Sequence, residues 1–310
     1  SQFDYLIFCH ITFIMGIFEI LLKINSENFE NTCASVSSSD LMKNKMQFID
    51  HIIKLIHVRP FSQNLYADLV KKLDPTDFKD PLLEKLFGEN PDFISCIKFA
   101  KILLNNGYFS ESKMSEFLVK RFDSFQTGGD IPIFTFATFA SLILKNNKDL
   151  FYQRCSTYYM TFAISHRNYG FVGYLQQMQG MDEEDLKAHE NAKPYGEIGN
   201  LIAYDDVDKL RGKEFYPDST LEPTFFLPTI FLTKIPTYLQ FAIFCGSNKC
   251  AKYLISKGAK IDAKDRDGLS LLAYAVAGGN TLMIKELKEK GLIEDESVLA
   301  LADEYMRNTN

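Results

Sequence analysis

Apolar residues along this chain recur mostly at helical spacing. Ile49, Ile52, Ile53 and Ile56 occupy positions i, i+3, i+4 and i+7, which places them on one face of a helix. Pro60, which cannot continue a helix, follows this stretch. No long run alternates apolar and polar residues as a half-buried strand does. The pattern therefore predicts an all-α protein.

Helical stretches and the breaks between them divide the chain into four predicted parts. An apolar N-terminal segment, 1–24, precedes a helical domain at 25–130, which ends in a glycine-containing linker. Residues 131–236 are predicted to form degenerate helical repeats. Residues 237–310 are predicted to form two clear repeats and a capping helix over 296–306.

Two stretches near the C-terminal end repeat each other at a fixed offset. Gly246 and Gly258 of the first stretch correspond to Gly279 and Gly291 of the second, 33 residues later in each case. A period of about 33 residues is typical of units that each form a helix pair and stack on their neighbours. Such a unit cannot bury its apolar face alone, so the repeat predicts a stack with an elongated surface.

Weaker copies of this helix pair lie upstream. Phe162-Ala163-Ile164 matches Phe241-Ala242-Ile243, but the residues that follow it lack the glycine of the turn. Asp205 stands where Gly246 stands in the clear repeat, at a distance of 41 residues instead of 33. The additional residues fall in the Pro-rich stretch 217–236, which indicates an enlarged hairpin finger before the clear repeats.

Residues 237–291 resemble two ankyrin repeats. The first repeat carries Thr237-x-Leu239-x-x-Ala242-Ile243-x-x-Gly246 and continues to Leu254-Ile255-x-x-Gly258-Ala259. Tyr238 and Gln240 depart from the family, whose repeats usually have Pro and His at these two positions.

The chain as a whole resembles the large ankyrin family of trichomonad protozoa, whose N-terminal part is an uncharacterised helical domain. The motifs Glu27-Asn28-Phe29-Glu30, Asp205-Asp206-Val207-Asp208 and Ala275-Val276-Ala277-Gly278-Gly279-Asn280 carry this resemblance. It implies a helical N-terminal region followed by a degenerate ankyrin-repeat α-solenoid. It also implies a non-enzymatic scaffold or adaptor that binds a protein partner through the concave face of the stack.

Hairpin tips and the exposed ends of the first helices line the concave side of an ankyrin stack. Aromatic residues and Arg anchor many interfaces, so mixed charge beside an exposed Phe and an exposed Leu suits a protein partner. Seven residues are therefore the expected partner-binding residues: Phe244, Cys245, Lys264, Arg266, Asp267, Leu269 and Ala277.

Composition narrows the kind of partner. The chain has 310 residues, a net charge of −6 and an isoelectric point near 5.5, which argues against nucleic acid. The partner's identity and the oligomeric state are left open. The six cysteines include no C-x-x-C pair, so free buried thiols in a reducing, cytoplasmic compartment are expected.

No cofactor, metal site or catalytic site is expected. The stretch 262–268 resembles a calcium loop, but with Gly268 at loop position 6, Ala263 and Tyr274 occupy positions 1 and 12, where acidic residues are needed. The histidines include no His-x-x-x-His pair, and no Gly-x-Ser-x-Gly elbow occurs. An enzyme within the N-terminal helical region is therefore disfavoured.

Residues 5–22 are almost wholly apolar and allow three interpretations. They could form a buried first helix or a membrane anchor, or the true start could be Met15, which would leave too short a segment to span a membrane. Asp4 has the wrong charge for a signal peptide, and Glu19 would lie deep in lipid in a spanning helix. A buried helix is preferred, and a membrane-tethered ankyrin scaffold is the alternative function.

Overall fold

In a computed structural model of the chain, six stretches are described: 16–73, 77–124, 129–165, 169–191, 194–222 and 224–305. These residues form α-helices joined by turns and three short 3-10 helices, and they contain no β-strand, only an isolated bridge between Thr220 and Thr237. The predicted all-α fold class is confirmed. The chain divides into two compact units, Ser1–Lys120 (unit 1) and Arg121–Asn310 (unit 2). The finer division into four parts stays a prediction.

Unit 1 is a bundle of helices centred on one of them. Its helices are α1 (16–22), α2 (Phe29–Ser37), α3 (Lys45–Val58), α4 (Gln63–Leu73), α5 (Lys79–Leu86), α6 (Phe93–Asn105) and α7 (Glu111–Ser124), the last of which ends beyond the unit. α3, α4 and α5 all pack against α6. Of the four residues of the predicted apolar face, Ile49, Ile52 and Ile56 are fully buried in the core face of α3, whereas Ile53 is half-buried at its edge. α3 ends at Val58, before Pro60.

The apolar N-terminal segment is described only from residue 16 onward, so the interpretations of residues 5–15 lie outside the described residues. In α1, Ile17, Phe18 and Leu21 are buried in unit 1. The hydroxyl of Tyr66 donates to the carbonyl oxygen of Leu21 at 3.2 Å, which ties α1 to α4. Of the helices in the described stretches, none combines the length and the apolar character that a membrane crossing requires.

The described residues of unit 2 from Gly196 onward form three helix pairs and a final single helix. The helices that precede the pairs are α8 (Asp130–Thr138), α9 (Ala140–Asn146), α10 (Lys148–Ser165), α11 (Tyr169–Met178) and α12 (Glu183–Asn191). The pairs are α13 (Gly196–Ala203) with α14 (Val207–Arg211), α15 (Tyr238–Cys245) with α16 (Asn248–Ser256), and α17 (Leu271–Gly278) with α18 (Thr281–Glu289). The final helix, α19 (Glu296–Glu304), packs against α17.

The three pairs stack as repeats. Their first helices, α13, α15 and α17, pack in that order, and α14 packs against α16. The turn inside each pair contains one residue with positive φ: Asp205 at 53°, Gly246 at 75° and Gly279 at 67°. Asp205 therefore occupies the turn position that the sequence offset indicated. The degenerate pair predicted upstream corresponds to α10 and α11, which pack together, although its turn at 166–168 lies outside the described residues.

Candidate protein-binding site

A loop between α16 and α17, the finger (residues 257–270), is organised by one carboxylate. The side chain of Asp265 accepts hydrogen bonds from the backbone N–H groups of Asp267 at 2.9 Å and Leu269 at 2.8 Å. It also accepts one from the hydroxyl of Tyr274 at 2.7 Å. Burial raises the pKa of the Tyr274 hydroxyl, and the hydrogen bond to Asp265 raises it further. Asp265 thus fixes the turn of the finger and attaches it to α17.

The finger is also attached to α15, through Gln240. The Gln240 side-chain amide donates to the carbonyl oxygens of Leu269 at 3.1 Å and Ala263 at 3.3 Å. Its Oε1 accepts from the backbone N–H of Thr237 at 2.8 Å, and the Thr237 hydroxyl accepts from the N–H of Gln240 at 3.1 Å. Gln240 therefore completes the capping box of α15 and holds the finger, at the position where ankyrin repeats usually have His.

The Pro-rich stretch before α15 folds over the first helices of the repeats. We call residues 225–236 the strap. The Phe231 ring of the strap stacks on Phe244 of α15, with ring centroids 5.1 Å apart. The same ring contacts Tyr274 of α17 at 4.9 Å and Tyr305, just after α19, at 5.8 Å. The strap therefore covers apolar surface that α15 and α17 would otherwise present on one side of the stack.

The structure separates the seven predicted binding residues into two groups. Lys264, Arg266 and Asp267 are exposed on the finger, and Cys245 is half-buried at the end of α15. The other three are buried: Phe244 is 2% exposed, Ala277 is 1% exposed and Leu269 is 9% exposed.

The expectation that Phe244 and Leu269 are exposed is therefore wrong. Phe244 is covered by Phe231 of the strap, and both backbone groups of Leu269 are hydrogen-bonded within the finger. Ala277 is buried because α17 is packed between α15 and α19. Phe244, Leu269 and Ala277 therefore pack inside unit 2. The exposed surface of the finger is formed by its charged residues.

Sequence reasoning missed one charged residue beside the finger. Lys234 of the strap lies with its Nζ 3.5 Å from Oδ2 of Asp267. On its other side, Asp267 has Oδ1 3.9 Å from Nε of Arg266. No signal in the sequence placed Lys234 here, because the strap has no counterpart in the 33-residue repeat. Lys234, Lys264, Arg266 and Asp267 together are named the finger-tip cluster.

Unit 1 brings a Ser, a His and an Asp side chain together, but not in the geometry of a catalytic triad. Oδ2 of Asp92 lies 3.0 Å from Nδ1 of His57 and 2.5 Å from Oγ of Ser95. The Asp92 side chain also accepts from the backbone N–H of Ser95, which caps α6. In a Ser-His-Asp triad the serine bonds to the histidine, whereas both residues here bond to the aspartate. The cluster therefore caps a helix.

The cysteines of the described stretches are buried or half-buried. The five described cysteines are free thiols: Cys33, Cys96, Cys155, Cys245 and Cys250. Burial raises the pKa of each of them. Within the described stretches, no group of three or more His, Cys, Asp or Glu side chains is arranged to hold a metal ion.

Comparison with protein-family models matches residues 237–266 to the ankyrin repeat. This range contains α15, α16 and the finger as far as Arg266. No curated protein and no solved structure matched the chain. The chain thus carries an ankyrin repeat within a helical solenoid, and ankyrin repeats are units of protein–protein interaction. No relative bears on the wider resemblance to trichomonad proteins, which stays a prediction.

Proposed function

We propose that this chain is a non-enzymatic adaptor whose unit 2 binds a protein partner through the finger-tip cluster at the edge of the concave face. The observation that carries the proposal is the ankyrin match at 237–266, together with the exposed charges at the end of that match. A cytoplasmic setting is part of the proposal. The partner's surface would carry acidic side chains opposite Lys264 and Arg266.

Two physical features support binding at the finger. The finger is held by hydrogen bonds that the Asp265 carboxylate accepts and the Gln240 amide donates, so little conformational freedom would be lost when a partner binds. The Arg266 side chain is 66% exposed and presents a planar set of donors suited to a carboxylate. Because the strap covers the apolar part of this side, charged contacts would decide partner choice more than apolar burial would.

The test compares two double charge reversals in the full-length chain. Lys264→Glu with Arg266→Glu changes the finger, whereas Lys252→Glu with Lys285→Glu makes the same change in net charge on the second helices α16 and α18. All four residues are exposed. Leu269 is left unchanged because it is buried.

Affinity capture with quantitative mass spectrometry would be run in parallel on the unmodified chain and both variants, after thermal unfolding has established equal stability. We expect at least one protein to be captured by the unmodified chain and by the control variant, and to be lost at least about tenfold from the finger variant. Equal loss from both variants, or equal capture by both, would contradict binding at the finger.

A further inference from the structure

A second feature of unit 2 is a cavity of about 460 Å³ that the finger does not line. It lies where α11 and α12 meet the starts of α13 and α15, and residues just before and within the strap form another wall. Cavities of roughly 300–1,000 Å³ are typical of small-molecule sites. The size alone does not identify a ligand, but the lining is unusual in two respects.

The first unusual respect is the number of aromatic rings. Six of them line the cavity: Phe171, Tyr174, Tyr195, Phe225, Phe226 and Tyr238. The rings of Phe171 and Phe225 lie 4.3 Å apart, and Tyr174 contacts Phe226 edge-on with centroids 5.5 Å apart. The rings therefore pack against one another along the cavity wall. The faces of aromatic rings attract cations.

The second unusual feature is that the charged side chains of the lining are negative. Two exposed carboxylates, Glu197 and Glu222, belong to the lining. Glu197 pairs with Lys213, but Glu222 makes no ion pair within the part of the chain that the structure describes. Burial raises the pKa of Tyr238, and the negative charge of Glu222 raises it further, so this carboxylate acts on the cavity wall.

A third carboxylate, that of Glu190, is buried next to the cavity and does not line it. Glu190 is 2% exposed and accepts hydrogen bonds from the backbone N–H and the hydroxyl of Ser141, each at 2.7 Å. Burial raises the pKa of the Tyr174 hydroxyl, and the charge of Glu190 raises it further. His189, from the same helix as Glu190, completes this side with its ring 5.6 Å from that of Tyr174. The cavity thus combines aromatic faces with negative charge.

We propose that this cavity binds a small organic cation whose charge is a tertiary or quaternary ammonium group. Such a group has no N–H or only one, so it needs few hydrogen-bond acceptors, and ring faces with one unpaired carboxylate satisfy it. Its alkyl groups fill the space between the rings, while Glu222 lies at the rim. A neutral molecule of the same shape gains the apolar contacts but not the electrostatic attraction.

The experiment uses two water-soluble probes of nearly equal shape. Choline carries a trimethylammonium group, and 3,3-dimethyl-1-butanol carries a tert-butyl group in its place. Ligand-observed NMR titration of the full-length chain measures the dissociation constant of each. We expect choline to bind at least about fivefold more tightly than the neutral alcohol.

Three variants locate the binding. Glu222→Gln removes the unpaired charge, and Glu214→Gln removes an exposed charge outside the cavity as its matched control. Tyr238→Leu removes one ring but keeps apolar volume. We expect Glu222→Gln and Tyr238→Leu each to weaken choline about fivefold, with Glu214→Gln unchanged and the neutral alcohol unaffected by Glu222→Gln. Thermal unfolding of each variant establishes that the chain remains folded.

Equal affinity for the two probes would overturn the proposal, since the cavity would then be a plain apolar site. No measurable binding of choline to the unmodified chain would also overturn it. Equal weakening by Glu222→Gln and Glu214→Gln would show that only the net negative charge of the chain matters, and that result would likewise contradict a site at this cavity.

Discussion

Phe231 and Phe244 stack with their ring planes only 22° apart and their centroids 5.1 Å apart. Phe244 belongs to the first helix of the matched ankyrin repeat, and Phe231 belongs to the strap that precedes it. The chain thereby covers its own apolar surface next to the finger. Lys264, Arg266 and Asp267 remain exposed beside the covered surface, which is why the finger is the part of this side proposed to meet the partner.

Removing the Phe231 ring should loosen the repeats. The side chain is 3% exposed and contacts α15, α17 and the end of α19, so Phe231→Ala leaves a cavity between them. We expect a loss of about 3–5 kcal/mol, typical of buried Phe→Ala changes. Hydrogen exchange followed by mass spectrometry should show reduced protection of α15 and α17 amides. Tyr216→Ala, at a side chain 83% exposed, is the control and should leave both helices unchanged.

Two glycines in helices should respond to alanine in opposite directions. A Cβ on Gly278 of α17 would lie 2.3 Å from the carbonyl oxygen of Phe244, so Gly278→Ala forces α15 and α17 apart. A Cβ on Gly173 of α11 would meet no atom within 4 Å. We expect Gly278→Ala to destabilise unit 2 by about 1–3 kcal/mol and Gly173→Ala to stabilise it by up to about 1 kcal/mol.

Thermal unfolding midpoints of the two alanine variants provide the measurement. A lower midpoint for Gly278→Ala and an equal or higher midpoint for Gly173→Ala would support the close packing of α15 and α17. If both midpoints shifted by the same amount, the contact between Gly278 and Phe244 would not limit the spacing of these helices.

The helices and turns of the repeats were predictable from the sequence because they depend on local rules. Gly246 and Gly279 have positive φ, a conformation that glycine adopts without strain, so the same turn position carries glycine in both clear repeats. The apolar face of α3 was likewise predictable, since Ile49, Ile52 and Ile56 needed only helical spacing.

The surface of the stack was predictable only in part. Lys264, Arg266 and Asp267 are exposed as a hairpin tip requires, but the position of the strap depends on contacts between residues far apart in sequence. Phe231 reaches Tyr305 across 74 positions, and no repeat offset indicates that pairing. The aromatic cavity was missed for the same reason, because its rings come from four separate segments of the chain.

The third turn residue, Asp205, has two separable roles. It adopts φ of 53°, and its Oδ1 accepts from the backbone N–H of Cys250 at 2.8 Å, near the start of α16 in the next repeat. Asp205→Ala removes the acceptor and strains the backbone, and we expect a loss of about 1–3 kcal/mol. Asp205→Asn keeps an acceptor and tolerates positive φ, so it should lose less than half as much.

The two Asp205 variants are compared by hydrogen exchange of the α16 amides. Reduced protection in Asp205→Ala, with near-normal protection in Asp205→Asn, would support a cap that depends on geometry. Equal disruption by both would instead assign the role to the negative charge of Asp205 beside the N-terminus of α16.

Two buried thiols should be inert while the chain is folded. Burial raises the pKa of Cys155 to about 12, and burial with the charge of Asp205 raises that of Cys250 to about 12. The thiolate is the reactive form, so at about pH 8 its population falls roughly a thousandfold below that of an ordinary thiol. Iodoacetamide labelling, read by peptide mass spectrometry, should modify both cysteines only in denaturant.

Leu282→Cys, at a side chain 53% exposed, supplies a reference thiol that should react in the folded chain. Labelling of Cys155 or Cys250 at the rate of this reference thiol would contradict their burial.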